Sequence, residues 1–491
     1  MQKISVKTIY LILVISIGLV GLGVGSTFAM FTASSKIDNP ISFTAGIFGE
    51  SDVIETVEVT VPAGETKATN LHVTNSTNSN LNYVMWYIDE GLDIELGSKR
   101  TDSGTYQTTI DAGEEHQYEV SIRNNSNSDV TVVIGVSSGT GSVTLSSDMK
   151  MVPQSELKLK PTLASVITNL YNNSTKTAVP NNSITYQYDT TNNLMKDTAG
   201  NIRYYGASPN NYVYFNCDSY PSTNCELWRI IGVFDGKIKL IRNKTIDLYS
   251  WDNKNKSTGA ETAYGKNDWT TARLMKLLNP STYYTTDAND NGKGQSLYWN
   301  ATSGACYSGQ NNATISCNFT STGIKDTTRN MIAETTWNLV GWNTSDIYSN
   351  VMYEKERGTT TVSNPSDGIT RATTWTGKIA LPYPSDYGYA TDLSKCSQTL
   401  FNYNSGTDSY ACRSNDWMYS IITNSGINDG WLLTPYSGYA YMAFGVHSSG
   451  YVNGYGVYTA FMVAPVLYLG SDQDIVSGDG SQSNPYQLAN S

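Results

Sequence analysis

The pattern of apolar and polar positions divides the chain into segments with different periods. Ile9–Val24 is an apolar run that contains no charged residue. Within residues 44–150, segments such as Val53–Val61, Leu81–Ile88 and Val130–Val136 alternate apolar and polar residues, and turns rich in Asn, Ser and Gly separate them. A period of two is typical of strands, and strands about ten residues apart favour two packed sheets. Residues 44–150 are therefore predicted to form a β-sandwich that serves as a stalk or an assembly module.

Residues 151–200 have the composition of a connector. Leu163–Tyr171 has helical periodicity, which predicts one short helix. The polar, proline-containing stretch 172–183 that follows is typical of an exposed linker. The sequence thus predicts a connector with a short helix between two domains.

Residues 201–491 combine strand and helix signals. The runs Trp228–Phe234 and Lys237–Arg242 flank an Asp-Gly pair, which is a strong signal for a two-residue hairpin. Trp269–Leu278 predicts an amphipathic helix that the following Asn-Pro pair ends. A second helix is predicted over Asp326–Leu339. The chain as a whole is therefore predicted to be β-rich and of the α+β class.

The composition limits the possible functions. The 491 residues suit two or three domains, and 39% hydrophobic residues suffice for packed cores. Charged residues make up only 15%, and the net charge is −11. A diffuse acidic balance argues against nucleic acid as a partner, because binding to phosphates needs a basic face.

The N-terminal apolar run has the flanks of a secretory signal peptide. Lys3 and Lys7 form a short positive segment before it, and Thr27-Phe28-Ala29 provides a cleavage site of the small-x-small type. We expect residues 1–29 to be removed and the mature protein to be secreted or held at the cell surface. The alternative is an uncleaved anchor, through which the protein would contact a membrane.

Six cysteines agree with an oxidising compartment. All of them follow residue 216, and none belongs to the C-x-x-C pattern of a zinc or redox site. Among the many possible connectivities we expect the three local ones, since each closes a short loop. The expected pairs are Cys217 with Cys225, Cys306 with Cys317, and Cys396 with Cys412. Free thiols are the alternative, against which an oxidising compartment argues. No metal and no cofactor are expected.

Two parts of the chain resemble known families. Residues 26–48, STFAMFTASSKIDNPISFTAGIF, resemble the export leader of camelysin-type and biofilm-fibre proteins of Gram-positive bacteria. In the second half, the early strand pair, two helices, a loop-rich middle, WLLTP at Trp431–Pro435 and a closing VAPVLYL strand resemble the C-type-lectin-like fold, especially its formylglycine-generating-enzyme-like branch. This resemblance implies a C-type-lectin-like α+β domain over residues 201–491, with a ligand face made by late loops. The chain is also similar to large secreted proteins of gut Firmicutes in the segments Trp228–Phe234, Leu381–Ala390, Trp431–Pro435 and Pro465–Leu469.

The stretch from Gly430 to Ser471 contains no Asp, Glu, Lys or Arg. Within it, Tyr436–Tyr458 holds six Tyr, five Gly and three Ser in 23 residues. This composition resembles that of an antibody paratope, in which Tyr supplies rigid amphipathic contact area and small residues supply adaptable hydrogen bonds. We expect a face here that binds a protein or glycan ligand on another cell or a phage. The predicted contacts are Trp431, Tyr436, Tyr439, Tyr441, His447, Tyr451, Asn453, Tyr455 and Tyr458.

C-type-lectin-like domains that retroelements diversify also concentrate variable residues just before a closing strand, and residues 436–461 are similar to that region. The resemblance implies a face that varies between strains. The alternative is a set of ordinary Tyr- and Gly-rich hairpins packed on the core. His447, the one histidine of this domain, is more typical of a hydrogen-bonded structural residue than of a catalyst.

Signals for metal binding and catalysis are weak. Asp287–Gly292 matches the first half of a calcium loop, but position 12 is Tyr298 rather than Glu, so a plain turn is expected. The H-E-x-x-H and phosphate-loop motifs are missing from the sequence. Cys396 and Cys412 precede the tyrosine-rich stretch, so the oxidase activity of the formylglycine-generating branch is not expected. We predict a binding protein rather than an enzyme, with two alternatives: a structural subunit of a fibre or envelope layer, and an extracellular hydrolase.

Overall fold

A computed structural model of the protein describes residues 41–45, 53–75, 77, 80–88, 94–96, 108–112, 114–124, 126–139, 150–151, 158–159, 162–255, 264–290, 292–358, 367–404, 409–470 and 473–489. The predicted leader, residues 1–29, lies outside these residues. The chain is β-rich and of the α+β class, and it divides between residues 161 and 162 into two compact units. Within the described residues, no helix is long and apolar enough to span a bilayer.

The first unit is built from strands. In chain order these are β1 (Ile41–Ala45), β2 (Val53–Val61), β3 (Thr66–Asn75), β4 (Leu81–Ile88), β5 (Ile94–Leu96), β6 (Thr108–Ile110), β7 (Glu115–Asn124), β8 (Val130–Gly139), β9 (Lys150–Met151) and β10 (Lys158–Leu159). One sheet has the order β1-β3-β7-β10 with β5 beside β7, and the other has the order β2-β8-β4-β6 with β9 beside β4. The alternating segments of the sequence are thus confirmed as strands β2, β4 and β8.

Side chains from both sheets of the first unit belong to one buried apolar cluster. Val61 and Tyr83 contribute to it from one sheet, and Val73 and Ile122 contribute from the other. Because side chains alternate between the two faces of a strand, every second residue reaches this cluster and the residues between them face away.

Two buried asparagines connect the sheets at equivalent positions. The side-chain amide of Asn75 donates to the last carbonyl of β6 at 3.1 Å, and that of Asn124 donates to the last carbonyl of β2 at 2.9 Å. The N–H of Asn75 also bonds the carbonyl of Glu114, while the N–H of Asn124 bonds that of Glu65. The same combination of a turn, a strand and a buried amide thus occurs twice in this unit.

The second unit contains strands β11 to β30 and helices α1 to α7. The strands are β11 (Thr177–Asn181), β12 (Ile184–Asp189), β13 (Leu194–Lys196), β14 (Ile202–Tyr204), β15 (Tyr212–Phe215), β16 (Glu226–Phe234), β17 (Lys237–Arg242), β18 (Leu248–Tyr249), β19 (Ser303–Tyr307), β20 (Thr314–Asn318), β21 (Thr335–Asn338), β22 (Thr374–Gly377), β23 (Ile379–Ala380), β24 (Gly430–Pro435), β25 (Met442–Val446), β26 (Val452–Gly456), β27 (Phe461–Met462), β28 (Val466–Tyr468), β29 (Ile475–Ser477) and β30 (Tyr486–Leu488). The helices are α1 (Leu163–Asn172), α2 (Arg273–Leu278), α3 (Asp326–Arg329), α4 (Ser349–Glu356), α5 (Pro384–Ala390), α6 (Ser409–Ser414) and α7 (Trp417–Ile422). Short 3₁₀ helices cover Ser281–Tyr283, Ala288–Asp290 and Leu400–Asn402.

Two sheets dominate the second unit. The main sheet has the order β11-β12-β13-β14-β16-β15-β30-β29, and β17, β28 and β23 follow one another outward from β16. The second sheet has the order β18-β27-β24-β25-β26. Strands β19 with β20, and β21 with β22, form two separate pairs. One continuous apolar core lies between these elements and includes most of the tryptophans.

Residues 162–200 belong to the second unit, which differs from the connector predicted over residues 151–200. The predicted helix is present as α1, but Leu163 and Ile167 are fully buried in the main core. Strands β11 to β13 extend one edge of the main sheet, and Val179 of the outermost strand is buried. An outer strand pairs on one side, so it tolerates polar residues and a proline. The polar composition of this segment, which predicts a linker, is therefore explained by its position as an edge strand.

The early hairpin of the second unit is confirmed. Strands β16 and β17 pair in antiparallel fashion around Asp235-Gly236. The two turn residues have φ values of 48° and 74°. A type I′ turn requires positive φ at both positions, which Asp and Gly adopt more easily than most residues. The local sequence therefore determines this hairpin.

The two predicted helices are only partly correct. Helix α2 begins at Arg273, four residues later than predicted, and it ends before Pro280. The second helix is wrong beyond Arg329, because residues 335–338 form β21 and pair with β22. This strand places Trp337 in the core opposite Trp375. Burial of both tryptophans in the core thus outweighs a short helical pattern.

A buried ion cluster joins the main sheet to helix α5. Arg203 donates to Oδ2 of Asp197 at 2.6 Å and to Oδ1 of Asp386 at 2.9 Å, and Nζ of Lys239 contacts Oδ2 of Asp386 at 2.5 Å. Pro384 opens the helix, where its fixed φ is favourable, and brings Asp386 into the first turn. These charged side chains are at most 1% exposed, so the cluster is structural and cannot contact a ligand.

The three expected disulfides are present in the second unit. They join Cys217 to Cys225, Cys306 to Cys317 and Cys396 to Cys412, with sequence separations of 8, 11 and 16 residues. All six cysteines lie in the described part of the chain and all are paired. Disulfides form and persist in oxidising compartments, so this part of the protein matures in such a compartment.

Candidate ligand-binding surface

The tyrosine-rich stretch forms much of the second sheet. Strands β25 and β26 make a hairpin whose turn is residues 447–451. At the opposite end, residues 436–441 connect β24 to β25. Since β25 has five residues, the two ends of the hairpin lie roughly 15 Å apart. The predicted site residues therefore form two groups rather than one continuous face.

Five tyrosine rings contact one another at the 436–441 end, and we call them the tyrosine chain. The separations of ring centroids are 6.1 Å for Tyr436–Tyr439, 6.0 Å for Tyr439–Tyr441, 5.8 Å for Tyr441–Tyr264 and 5.1 Å for Tyr264–Tyr458. Neighbouring rings are tilted by 40° to 63°, so they do not form one flat platform. Tyr439 and Tyr264 are 48% and 44% exposed, and the other three are partly buried.

Asn267 holds the backbone of the tyrosine loop, residues 436–442, from inside. Its side-chain amide donates to the carbonyls of Tyr436, Tyr439 and Met442 at 3.2, 2.8 and 2.9 Å. Its backbone N–H donates to the carbonyl of Ala440 at 2.8 Å. Asn267 is fully buried. One residue outside the loop therefore binds four of its carbonyls.

Arg371 supports this arrangement from a third segment. Its Nε donates to Oδ1 of Asn267 at 3.1 Å, and its Nη2 donates to the carbonyl of Ala440 at 3.3 Å. Asp367 neutralises the guanidinium through contacts of 3.2 and 2.7 Å. Burial would raise the pKa of Asp367, but the hydrogen bonds from Arg371 outweigh burial and lower it. The loop thus lies on a buried ion pair of zero net charge.

Glycines make room for the inner rings. A Cβ at Gly454 would lie 2.3 Å from the ring of Tyr436, and a Cβ at Gly456 would lie 2.5 Å from the ring of Tyr458. Direct packing of a ring on backbone explains why Tyr and Gly are enriched together in this stretch. The inner rings therefore pack as the alternative of core-packed hairpins predicts, whereas Tyr439 remains exposed.

His447 and Tyr451 close the hairpin turn at the other end. Their rings stack with a centroid separation of 4.5 Å and an interplanar angle of 17°. Nδ1 of His447 accepts the N–H of Ser449 at 3.0 Å, and Nε2 lies 3.9 Å from Oδ1 of Asp429. Hydroxyls of one tyrosine in α5 and one in α7 donate to carbonyls of the turn. The hydrogen bond and the ring stacking of His447 therefore stabilise the turn, which is a structural role.

Three predicted contacts do not belong to an open surface. The prediction is wrong for Trp431, which is fully buried, donates to the carbonyl of Tyr249 at 2.9 Å and packs 4.6 Å from Phe461. The ring of Tyr455 lies 5.0 Å from the same phenylalanine, and burial raises the pKa of its hydroxyl far above the usual range. Asn453 is half-buried and its Oδ1 accepts the next N–H of its own strand at 2.8 Å. In a sequence, a tryptophan within an apolar run is equally compatible with a buried core and with a binding face, which explains the wrong prediction for Trp431.

Sequence reasoning missed Tyr264, Asn267 and Phe401. Phe401 is 42% exposed and lies 6.0 Å from Tyr451 at the hairpin turn. All three residues are distant in sequence from the stretch that they contact, and no local motif surrounds them. Only the topology brings them to this sheet.

Basic side chains contact the aspartates of the partial calcium-loop motif. Asp290 is fully buried and pairs with Arg273 at 2.7 Å and with Lys276 at 2.9 Å. Asp287 contacts the ammonium group of Lys254. These cations stand where a metal ion would have to bind. Among the described residues, no three His, Cys, Asp or Glu side chains are grouped so that they could hold a metal.

A small cleft with a volume of about 10 Å³ is lined in part by Arg273, Tyr249 and Tyr307. Its remaining lining residues are Ser250, Leu274, Leu277, Gly294 and Cys306. A glycosidase needs a pair of carboxylates that flank its substrate. This lining contains no carboxylate, so the cleft does not support the hydrolase alternative.

The chain matches no protein-family model, no curated protein and no solved structure.

Proposed function

We propose that this protein is an extracellular binding protein, adhesin or receptor-like, that contacts a protein ligand through the tyrosine chain. One observation carries the proposal: five tyrosine rings lie in continuous contact, two of them nearly half exposed, and three of the five belong to a loop that a buried asparagine fixes. Monomeric proteins rarely expose large connected aromatic surfaces unless these bind something.

Tyrosine is well suited to such a role. Its ring contributes a large contact area with few rotatable bonds, and its hydroxyl hydrogen-bonds at the edge. Residues that dominate the energy of protein interfaces are often Tyr, Trp and Arg. A loop with a fixed backbone also loses little conformational entropy on binding, which increases affinity.

A protein ligand suits this surface better than a glycan. Sugar hydroxyls are bound by side chains with several donors and acceptors, such as carboxylates and guanidinium groups, and Gly430–Ser471 contains neither. A pyranose ring stacks on a flat aromatic face, whereas neighbouring rings here are tilted by 40° to 63°. The centres of protein interfaces are poor in charge and rich in Tyr.

The proposal includes export, a C-type-lectin-like second unit and diversification of residues 436–461. Three disulfides support export, because they need an oxidising compartment. The closing strand β28 pairs with β17 of the early hairpin, and this pairing supports a C-type-lectin-like arrangement. Diversification has a genomic test. A reverse transcriptase gene and a near-copy of the 436–461 coding region beside this gene would support it, and their absence would contradict it.

The binding function is tested with the mature protein and a panel of intact bacterial cells. Tyr439→Ala combined with Tyr441→Ala removes the centre of the tyrosine chain. Tyr410→Ala is the matched control, because Tyr410 is 68% exposed and lies outside the chain. Binding to cells is measured by flow cytometry with fluorescently labelled protein, before and after protease treatment of the cells.

We expect saturable binding that the double variant loses and the Tyr410 variant keeps. Protease treatment of the target cells should abolish it. Binding that survives protease but disappears after removal of surface polysaccharide would replace the protein ligand by a glycan. Binding that the double variant retains would overturn the role of the tyrosine chain.

A second function, a structural subunit of a fibre or envelope layer, is favoured by strand β2. This strand pairs continuously with β8 over nine residues and forms the outer strand of its sheet within the described residues. Its sequence contains no proline, and a long outer strand can pair with a strand of another copy. Analytical ultracentrifugation of the mature protein tests this function. Assembly that increases with concentration supports it, and a monomer at high concentration contradicts it.

A further inference from the structure

We infer that Asn267 is a positioning residue of the ligand surface, which sets where Tyr439 stands without touching the ligand. This inference rests on the proposed function of the tyrosine chain. Asn267 is fully buried beneath the tyrosine loop, so it is not itself accessible to a ligand.

The hydrogen-bonding capacity of Asn267 is used completely. A side-chain amide nitrogen carries two hydrogens, and here three carbonyls share them. Its Oδ1 accepts Nε of Arg371 at 3.1 Å, and its backbone N–H binds the carbonyl of Ala440. Carbonyls of the loop thus converge on one inner residue, and the side chain of Tyr439 between them is directed outward.

The ends of the tyrosine loop have other anchors. The N–H of Ser437 donates to the carbonyl of Trp342 at 2.8 Å, and the N–H of Val457 donates to the carbonyl of Tyr441 at 2.9 Å. At the outer turn, the carbonyls of Tyr439 and Ala440 are bonded by Asn267 and Arg371. Loss of Asn267 should therefore release the outer turn while the ends of the loop stay in place.

Asparagine is chemically suited to this position. The side chain of aspartate has the same shape but carries no N–H group. Its carboxylate oxygens would face the loop carbonyls and repel them. Alanine would leave the carbonyls of Tyr436 and Tyr439 without their side-chain donor, whereas the carbonyl of Met442 would keep the N–H of Tyr436. Both variants should loosen the outer turn, and the effect should be confined to it because Arg371 and Asp367 remain paired.

Asn279 offers a matched control in the same unit. It is also fully buried, and its amide donates to the carbonyls of Met275 at 3.0 Å and Ile379 at 2.8 Å. These carbonyls belong to helix α2 and strand β23, not to the tyrosine loop. Asn279→Ala should therefore destabilise the fold without altering the ligand surface.

The first measurement needs no ligand. Hydrogen–deuterium exchange of the mature protein is followed in peptides that cover residues 436–442, and the Tyr439 side chain is observed by fluorine NMR after site-specific incorporation of 3-fluorotyrosine. We expect Asn267→Ala and Asn267→Asp to speed exchange in the loop by about tenfold or more and to broaden the fluorine signal. Asn279→Ala should change neither. Unchanged exchange in both Asn267 variants would overturn the inference.

The second measurement separates positioning from a structural role by a double-mutant cycle on the cells that bind the wild-type protein. Asn267→Ala should weaken binding about tenfold in the wild-type background and less than about twofold when Tyr439 is already alanine. Equal weakening in both backgrounds would show that Asn267 acts through the fold as a whole. If no cell binds the wild-type protein, the proposed function fails, while the exchange measurement still decides whether Asn267 orders the loop.

Discussion

The Nζ of Lys239 lies 2.5 Å from Oδ2 of Asp386, although both side chains are fully buried. Burial lowers the pKa of Lys239 to about 8, despite the nearby carboxylate. Burial alone would raise the pKa of Asp386, but the charges of Lys239 and Arg203 outweigh it and lower this pKa to about 2. The charges of the cluster are therefore mutually dependent, and removing one leaves others uncompensated.

Replacing Asp386 by Asn should strongly destabilise the second unit. The variant leaves the Lys239 ammonium group buried without its carboxylate, which we expect to lower the free energy of unfolding by about 3–5 kcal/mol. Urea denaturation at pH 7, followed by tryptophan fluorescence, measures the change. Asp326→Asn is the control, because Asp326 is 97% exposed in a surface ion pair and should change stability by less than about 1 kcal/mol. Similar values for the two variants would refute a stabilising role of the buried cluster.

Asp416 should make the protein less stable as the pH rises. It caps helix α7, and burial raises its pKa to about 8 although Thr391 and two backbone N–H groups donate to it. Because the folded-state pKa lies above the ordinary value of about 3.9, the native state binds more protons than the unfolded state, and stability falls between about pH 4 and pH 8.

Asp416→Asn keeps the capping oxygen and removes the titration. We expect the difference in unfolding free energy between variant and wild type to shift in favour of the variant from pH 5 to pH 8, by up to about 1.4 kcal/mol per pH unit. Denaturant titrations at four pH values measure this difference. A difference that does not vary with pH would mean that Asp416 does not titrate in this range.

Gly454→Ala should displace the ring of Tyr436, because the new Cβ would lie 2.3 Å from it. Overpacking of this kind lowers the free energy of unfolding by about 1–3 kcal/mol. Thermal unfolding of the single variant and of the double variant Gly454→Ala/Tyr436→Ala is compared. If the clash is the cause, Gly454→Ala should cost much less in the background that lacks the ring. An equal loss in both backgrounds would point to the strand backbone instead.

Removal of the longest disulfide should destabilise the second unit most. Cys396→Ala with Cys412→Ala opens a loop of 16 residues and should lower the free energy of unfolding by about 3 kcal/mol. Cys217→Ala with Cys225→Ala opens a loop of 8 residues and should lower it by about 2.5 kcal/mol. Guanidinium denaturation under non-reducing conditions gives both values. The reverse order would show that loop length does not govern these contributions.

The parts of the fold that the sequence predicts correctly depend on local chemistry. The Asp235-Gly236 turn is determined by two residues, and the alternating strands of the first unit are determined by a period of two. The disulfides follow from spacing along the chain. In each case the signal in the sequence is local, so no knowledge of the topology is needed.

The candidate site could be located from the sequence but not resolved into roles. Composition identifies the tyrosine-rich stretch, yet the same composition fits the buried Trp431 and the exposed Tyr439. Asn267 and Tyr264 reach the stretch through the chain's topology, which single-sequence patterns do not contain. The edge strand Thr177–Asn181 has a linker's composition for a similar reason, since pairing on one side leaves its polar residues in water.

The disulfides also determine how the second unit would respond to a mechanical load. A disulfide prevents only the residues between its cysteines from being pulled straight, and these bridges span 8, 11 and 16 residues. Most of the unit's contour length thus remains outside the crosslinks. If tension between its ends unfolded the unit, most of its chain would be free to extend. The unit would then absorb mechanical work by extension, which a fully crosslinked domain could not do.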